Sequence, residues 1–217
     1  MPALLLRRAP LGLALLAACA APDALAPVTK DGPGMPVALA RASAYDQFNA
    51  SYCPSADPQC FPIVIGGGSD QRLAQTFTVG ISGRLDAVQF PFVACTPDAR
   101  GRLRLRVTIN NVNPDGTPGT TVLSRTGVTA LPPAVDPGTT QGRIALAHDV
   151  RVSAGDVRSV VLTMVRGVCT LNQSVAGDRY PSGHGFFDAV ENRPFRPWVG
   201  FGETQIYDDL AFYTEVR

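Results

Sequence analysis

Aromatic rings crowd one short stretch of the chain. Tyr180, Phe186, Phe187, Phe195, Trp198 and Phe201 all fall within residues 177–202, among glycines and prolines. Rings carried on loops suit carbohydrate recognition, because a flat apolar face can stack on sugar C–H groups while polar neighbours orient the hydroxyls. Tyr180 and Trp198 are the rings read as ligand-binding here, with His184 and Arg196 as the polar groups beside them. The competing expectation for any one ring is burial beneath its own loop. Trp198, between Pro197 and Val199, is the ring expected to stay outside. Catalytic signals are poor by comparison. His148-Asp149 has no serine in a Gly-x-Ser-x-Gly turn to activate, and His184 follows Ser182 in a Pro-Ser-Gly-His run that carries no mechanism by itself. Glycosidases need two carboxylates across a cleft, and Asp188, Glu191 and Glu203 are candidates, but any chain of this length offers such pairs. Gly66-Gly67-Gly68 lacks the lysine and following helix of a phosphate loop. The chain reads as non-catalytic.

The N-terminus reads as an address. Arg7 and Arg8 precede the apolar run Leu11–Leu16, which is too short to cross a hydrocarbon core of about 30 Å. The tetrapeptide Leu16-Ala17-Ala18-Cys19 resembles the bacterial lipobox, in which small residues precede a cysteine whose sulfur takes a diacylglyceryl group. The competing reading is an ordinary secretory signal cut at Ala18-Cys19-Ala20. Twin-arginine export is disfavoured by Ala9-Pro10-Leu11. Residues 1–18 are therefore expected to be a lipoprotein signal peptide, and residues 19–43 a lipidated Cys19 on an Ala/Pro-rich tether. Ala20, where aspartate would signal inner-membrane retention, implies sorting to the outer membrane. Acyl chains burying CH₂ groups at about 0.8 kcal/mol each would make the attachment stable.

Four other cysteines remain: Cys53, Cys60, Cys95 and Cys169. An even number in an exported chain favours disulfides over a metal site. Three pairings are open. The favoured one joins Cys53 to Cys60 across a short Pro-rich loop and Cys95 to Cys169 across distant strands. Zinc has no CxxC spacing and only His148 and His184 to draw on.

The elements that must position these residues are short and apolar, separated by Gly, Pro, Asn and Asp clusters. Strands are expected at Leu73–Val79, Leu85–Cys95, Leu103–Asn110, Thr121–Arg125, Gly142–Val152, Val157–Val165, Gly185–Phe187 and Gln205–Val216. In the run from Arg102 to Val107, arginines alternate with Leu103, Leu105 and Val107, which places one set in solvent and the other in a core. Asn113–Gly119 and Asp136-Pro137-Gly138 supply turns. The pattern argues for an all-β antiparallel sandwich or barrel.

The order of motifs is similar to that of secreted bacterial jelly-roll domains of the choice-of-anchor type. The resemblance rests on Ala74–Val79 followed by Gly83–Val88, then Val107-Thr108-Ile109, Gly116–Leu123, Val152–Gly155 and Tyr207–Phe212. With an Asp46-Gln47 start it covers about 45–217, implying a β-sandwich domain over 44–217. Tyr207-Asp208-Asp209-Leu210 further resembles the entry to the last strand in jelly-roll sugar-binding modules, where an acidic side chain helps hold a structural calcium. On that resemblance Asp208 or Asp209 would converge with Asp46 and the Gln47 amide oxygen on one ion. The alternative is a plain solvated turn.

With 45% hydrophobic residues the chain can build a core, and a formal charge of +1 gives no basic excess for nucleic acid. The sequence thus predicts a lipid-anchored, outer-membrane β-sandwich that binds glycan or envelope polysaccharide. The alternative partner is another envelope protein.

Overall fold

The computed structural model describes residues 42–50, 63–67, 71–130, 141–172, 178–188, 194–197 and 209–217. Cys19, Cys53, Cys60, Trp198 and Asp208 lie outside these residues, as do residues 1–18, expected to be a signal peptide, and most of the expected tether. The described residues belong to one compact unit, Ala40–Arg217.

Among them are twelve strands and no helix: β1 (Ala44–Asn49), β2 (Ile63–Gly66), β3 (Arg72–Thr78), β4 (Gly83–Thr96), β5 (Arg104–Val112), β6 (Pro118–Val128), β7 (Gln141–Val152), β8 (Val157–Arg166), β9 (Val168–Leu171), β10 (Gly185–Asp188), β11 (Arg196–Pro197) and β12 (Phe212–Val216). Eight of these nest as antiparallel pairs, β1 with β12, β3 with β8, β4 with β7 and β5 with β6. The first and third pairs join through β12 and β4, the second and fourth through β8 and β5. An antiparallel ribbon folded over in this way is a jelly-roll β-sandwich, with faces β1-β12-β4-β7 and β3-β8-β5-β6. β9 and β2 extend the first sheet from the far end of β4, and β10 and β11 extend the second beside β3.

Alternation decides which residues fill the space between the sheets. Leu105, Val107 and Ile109 of β5, and Val160, Leu162 and Met164 of β8, point inward and are buried. Phe77, Phe90 and Phe212 are the largest side chains buried completely. In β4 a register shift between Leu85 and Ala87 re-phases the alternation, so that Leu85 is followed in the core by Val88, Phe90 and Phe92. Arg104 and Arg106 stand on the outer side of β5, as the arginine–leucine alternation requires.

Cys95 and Cys169 face each other directly across β4 and β9 and are joined, with Cα atoms 4.1 Å apart. The link closes 74 residues of chain, a loop whose closure is worth about 4 kcal/mol in the chain-entropy picture. The Cys53–Cys60 pairing falls outside the described residues.

Three sequence expectations are corrected. The final strand begins at Phe212 and not at Gln205: Asp209 and Leu210 bond to Gln75, Asn49, Arg179 and Tyr180 instead of joining a ladder, and 205–208 are outside the described residues. β6 runs from Pro118 to Val128, longer than Thr121–Arg125 at both ends, because β5 pairs with it through two register shifts. β1, β2, β9 and β11 were not expected, being short or lacking clean alternation.

Candidate functional site

The two sheets turn different chemistry outward. On the β1-β12-β4-β7 face, Tyr213 of β12 lies opposite Phe48 of β1 and Gln89 of β4, and Gln89 in turn lies opposite Arg143 of β7. A register shift between Tyr45 and Phe48 brings both rings of β1 against Tyr213. Phe48 stacks on it at 5.8 Å with the planes 15° apart, and Tyr45 meets it tilted at 5.3 Å. Tyr45 is 52% exposed and Phe48 59%, so the outer faces of these rings are bare. Strict period-two alternation would have sent one of the two inward; the bulge keeps both outside.

Beside the rings lies a closed ionic cluster. Glu215, only 7% exposed, accepts from Arg143 Nε and Nη2 (2.9 and 2.7 Å) and from Gln89 Nε2 (2.6 Å). Burial pushes the Glu215 carboxyl up, but the hydrogen bonds from Arg143 and Gln89 outweigh it and hold the group below its ordinary range. The carboxylate therefore stays ionised and has no proton to donate near neutral pH. Arg143 is about a third exposed, its guanidinium fixed beside the rings by the bidentate pair.

The residues that the sequence singled out sit elsewhere. Tyr180 is buried in the core, 7% exposed, with its ring edge-on to Phe212 at 5.1 Å. Its hydroxyl donates to Gln47 Oε1 (2.7 Å), and burial pushes its pKa up to about 12. It offers no wet face to a sugar, because its apolar area is spent inside the sandwich. His184 is exposed and tied to β3 through its backbone, the N–H donating to Thr76 Oγ1 and the carbonyl accepting from the Thr76 N–H. Arg196 is exposed on β11, next to Phe195. Trp198 lies outside the described residues.

The residues considered for calcium make a connected set of hydrogen bonds. Asp46 Oδ1 accepts from the backbone N–H groups of Gly80 and Ile81 (2.9 and 2.6 Å), pinning the β3–β4 turn to β1. Asp209 Oδ1 accepts from Gln75, and Oδ2 from the backbone of Arg179 and Tyr180. Gln47 Oε1 is taken by Tyr180. Asp46 Oδ2 is the one of these oxygens that is buried with no protein donor. Calcium takes six to eight oxygens; of the described side chains considered for it, one oxygen is without a protein donor, and Asp208 lies outside the described residues. Among the described residues no group of three His, Cys, Asp or Glu is arranged to hold a metal. Burial holds the carboxyls of Asp46 and Asp209 above their ordinary range.

On the opposite face, β10-β3-β8-β5-β6, a groove of about 580 Å³ runs across the outer surface. Its floor includes Thr108 and Asn110, and Arg72, Arg106 and Arg125 line it. One side is closed by Pro194 and Phe195, with Phe195 lying 4.4 Å from the Arg72 guanidinium.

No family model matches the chain, and no relative is found among curated proteins.

Proposed function

We propose that this protein is a lipid-anchored, non-catalytic glycan-binding module of the choice-of-anchor type, which holds a neutral sugar chain against Tyr45, Phe48 and Tyr213. The observation that carries this reading is the pair of rings more than half exposed and stacked with a third on a sheet face. A flat row of bare rings matches the apolar faces of successive sugar units, and the fixed Arg143 and Gln89 groups beside it can order the hydroxyls. Both oxygens of Glu215 are taken up by Arg143 and Gln89, so this carboxylate serves to fix those groups beside the rings. Cys19 supplies the anchor and residues 20–43 the reach from an outer membrane.

Titration of the chain from Ala20 onward with cellohexaose, xylohexaose and mannohexaose tests the site. Saturable binding by one of these, lost in the double variant Tyr45→Ala/Phe48→Ala at an unchanged melting temperature, is the expected result. A folded sample that binds none of them defeats the reading and transfers the platform to an envelope protein. For the anchor, Cys19→Ala should move the protein from the membrane pellet to the soluble fraction. Retention in the pellet would remove lipidation from the account.

A further inference from the structure

The groove on the second face has a chemistry that the ring platform lacks. Outward residues form rows across the sheet. Arg72, Thr163 and Arg106 make one row, and Ala74, Val161, Thr108 and Arg125 the next. Opposite Arg106 on β6 stands Gly127, which carries no side chain to crowd the row. Arg72 is pre-set: Nε and Nη2 donate to Asp188 Oδ2 at 3.0 and 2.6 Å, and the guanidinium lies over the Phe195 ring. Arg125 is exposed and, among the described residues, has no ion pair. Asp115 stands at the rim, its Oδ1 taken by the Thr117 amide and hydroxyl.

Arginines alone would suit any anion. Asn110 narrows the choice. It lies in the groove lining and is 7% exposed, and its Nδ2 donates to the Gly119 carbonyl at 2.8 Å. Its Oδ1 is buried and has no partner. An unpaired buried acceptor costs free energy until a donor reaches it. Phosphate diesters and sulfates bring acceptors only. A ligand that answers both features must carry an anionic group for the arginine forks and hydroxyl donors close to it.

We propose that this groove binds an acidic polysaccharide built of uronate units, a carboxylate on Arg125 in the row next to Arg106 and a ring hydroxyl donating to Asn110 Oδ1. The site is separate from the ring platform and does not rest on it, so the module engages two glycans, one on each face. Thr163 adds a hydroxyl between Arg72 and Arg106, and Thr108 one beside Arg125.

The test titrates the purified full chain with tetragalacturonate, with cellohexaose as neutral control and with polyphosphate and dextran sulfate as hydroxyl-poor anions. Saturable binding of tetragalacturonate that weakens as salt rises from about 20 mM to about 300 mM is expected. Arg125→Gln, at an exposed residue with no ion pair among the described residues, should weaken it by about tenfold. Asn110→Asp should weaken it as well by placing a second anion at the orphan oxygen. Tyr45→Ala/Phe48→Ala should leave it unchanged, so that either site can fail while the other stands. Absence of saturable binding, indifference to Arg125→Gln, or equal binding of polyphosphate and dextran sulfate would each overturn the proposal.

Discussion

The two outer faces of this sandwich are built by the same rule and finished in opposite ways. On β1-β12-β4-β7 the charges beside the rings are closed on themselves and the rings are bare: Arg143 and Glu215 make a bidentate pair while Tyr45 and Phe48 face solvent. On β10-β3-β8-β5-β6 the rings are covered and a charge is bare. Phe186 is buried with Ala74 and Val161, Phe195 packs over this cluster, and Arg125 points outward without an ion pair among the described residues. A sheet needs its inward residues for the core and leaves the outward ones unconstrained by packing. Chemistry can therefore diverge between the faces while the fold stays fixed. The bare ring area beside Tyr213 on one face and the exposed Arg125 guanidinium on the other set the ligand each suits.

The most buried arginine–carboxylate pair of each face, Arg72–Asp188 and Arg143–Glu215, should give the largest effects when its carboxylate is removed. Arg72 is 20% exposed and its partner Asp188 2%, against 38% and 9% for Arg143 and Glu215. The groove pair is the more deeply desolvated. Asp188→Ala should accordingly cost about 3 kcal/mol in urea unfolding and Glu215→Ala about 2 kcal/mol, because each leaves a guanidinium without its partner. A larger loss for Glu215→Ala would reverse the ranking of the two faces.

Ring removal should separate binding from stability. Tyr45→Ala and Phe48→Ala should each weaken neutral-glycan binding by about tenfold while shifting the melting temperature by only about 2 °C, since more than half of each side chain is already in water. Collapse of the fold in either variant would make the platform a structural surface.

The smallest effects are in pH, and their signs differ by location. Glu215 is held below its ordinary range, so the stability it contributes is full above its unfolded value and is lost as pH falls through the folded one. Asp209 is held above its range by burial. Its contribution is full below the unfolded value and is lost as pH rises through the folded one. Relative to wild type, Glu215→Gln should therefore lose less stability on acidification. Asp209→Asn should lose less than wild type as pH rises through the carboxylate range. Urea midpoints taken between pH 3 and pH 7 would show both slopes, and parallel curves would contradict both assignments.

Much of the scaffold was legible from residue spacing. Leu105, Val107 and Ile109 alternate with outward polar residues and lie in the core as that pattern requires. Cys95 and Cys169 were paired on parity and distance, and they face each other across β4 and β9. The site was less legible because exposure is a tertiary property. Tyr180, chosen as a binding ring, is drawn inward by Phe212, Gln47 and Asp209, none of them near it in sequence. Tyr45 and Phe48 are three residues apart, a spacing that fits no strand period, and only the bulge against Tyr213 and Glu215 puts both on one face. The signal present in the sequence was the Tyr213–Thr214–Glu215 alternation of the last strand, which marks a ring and an acid on one outer surface. The groove depends on Arg72, Arg106 and Arg125 arriving from three strands, and no local pattern encodes that meeting.

The most direct test of the two-faced account is a sequential titration. The full chain is first saturated with the neutral hexasaccharide that binds best, then titrated with tetragalacturonate, with native mass spectrometry counting what is bound. A complex carrying both sugars, with an affinity for the second that is unchanged by the first, is expected. Displacement of one sugar by the other, or a complex that never carries both, would contradict it.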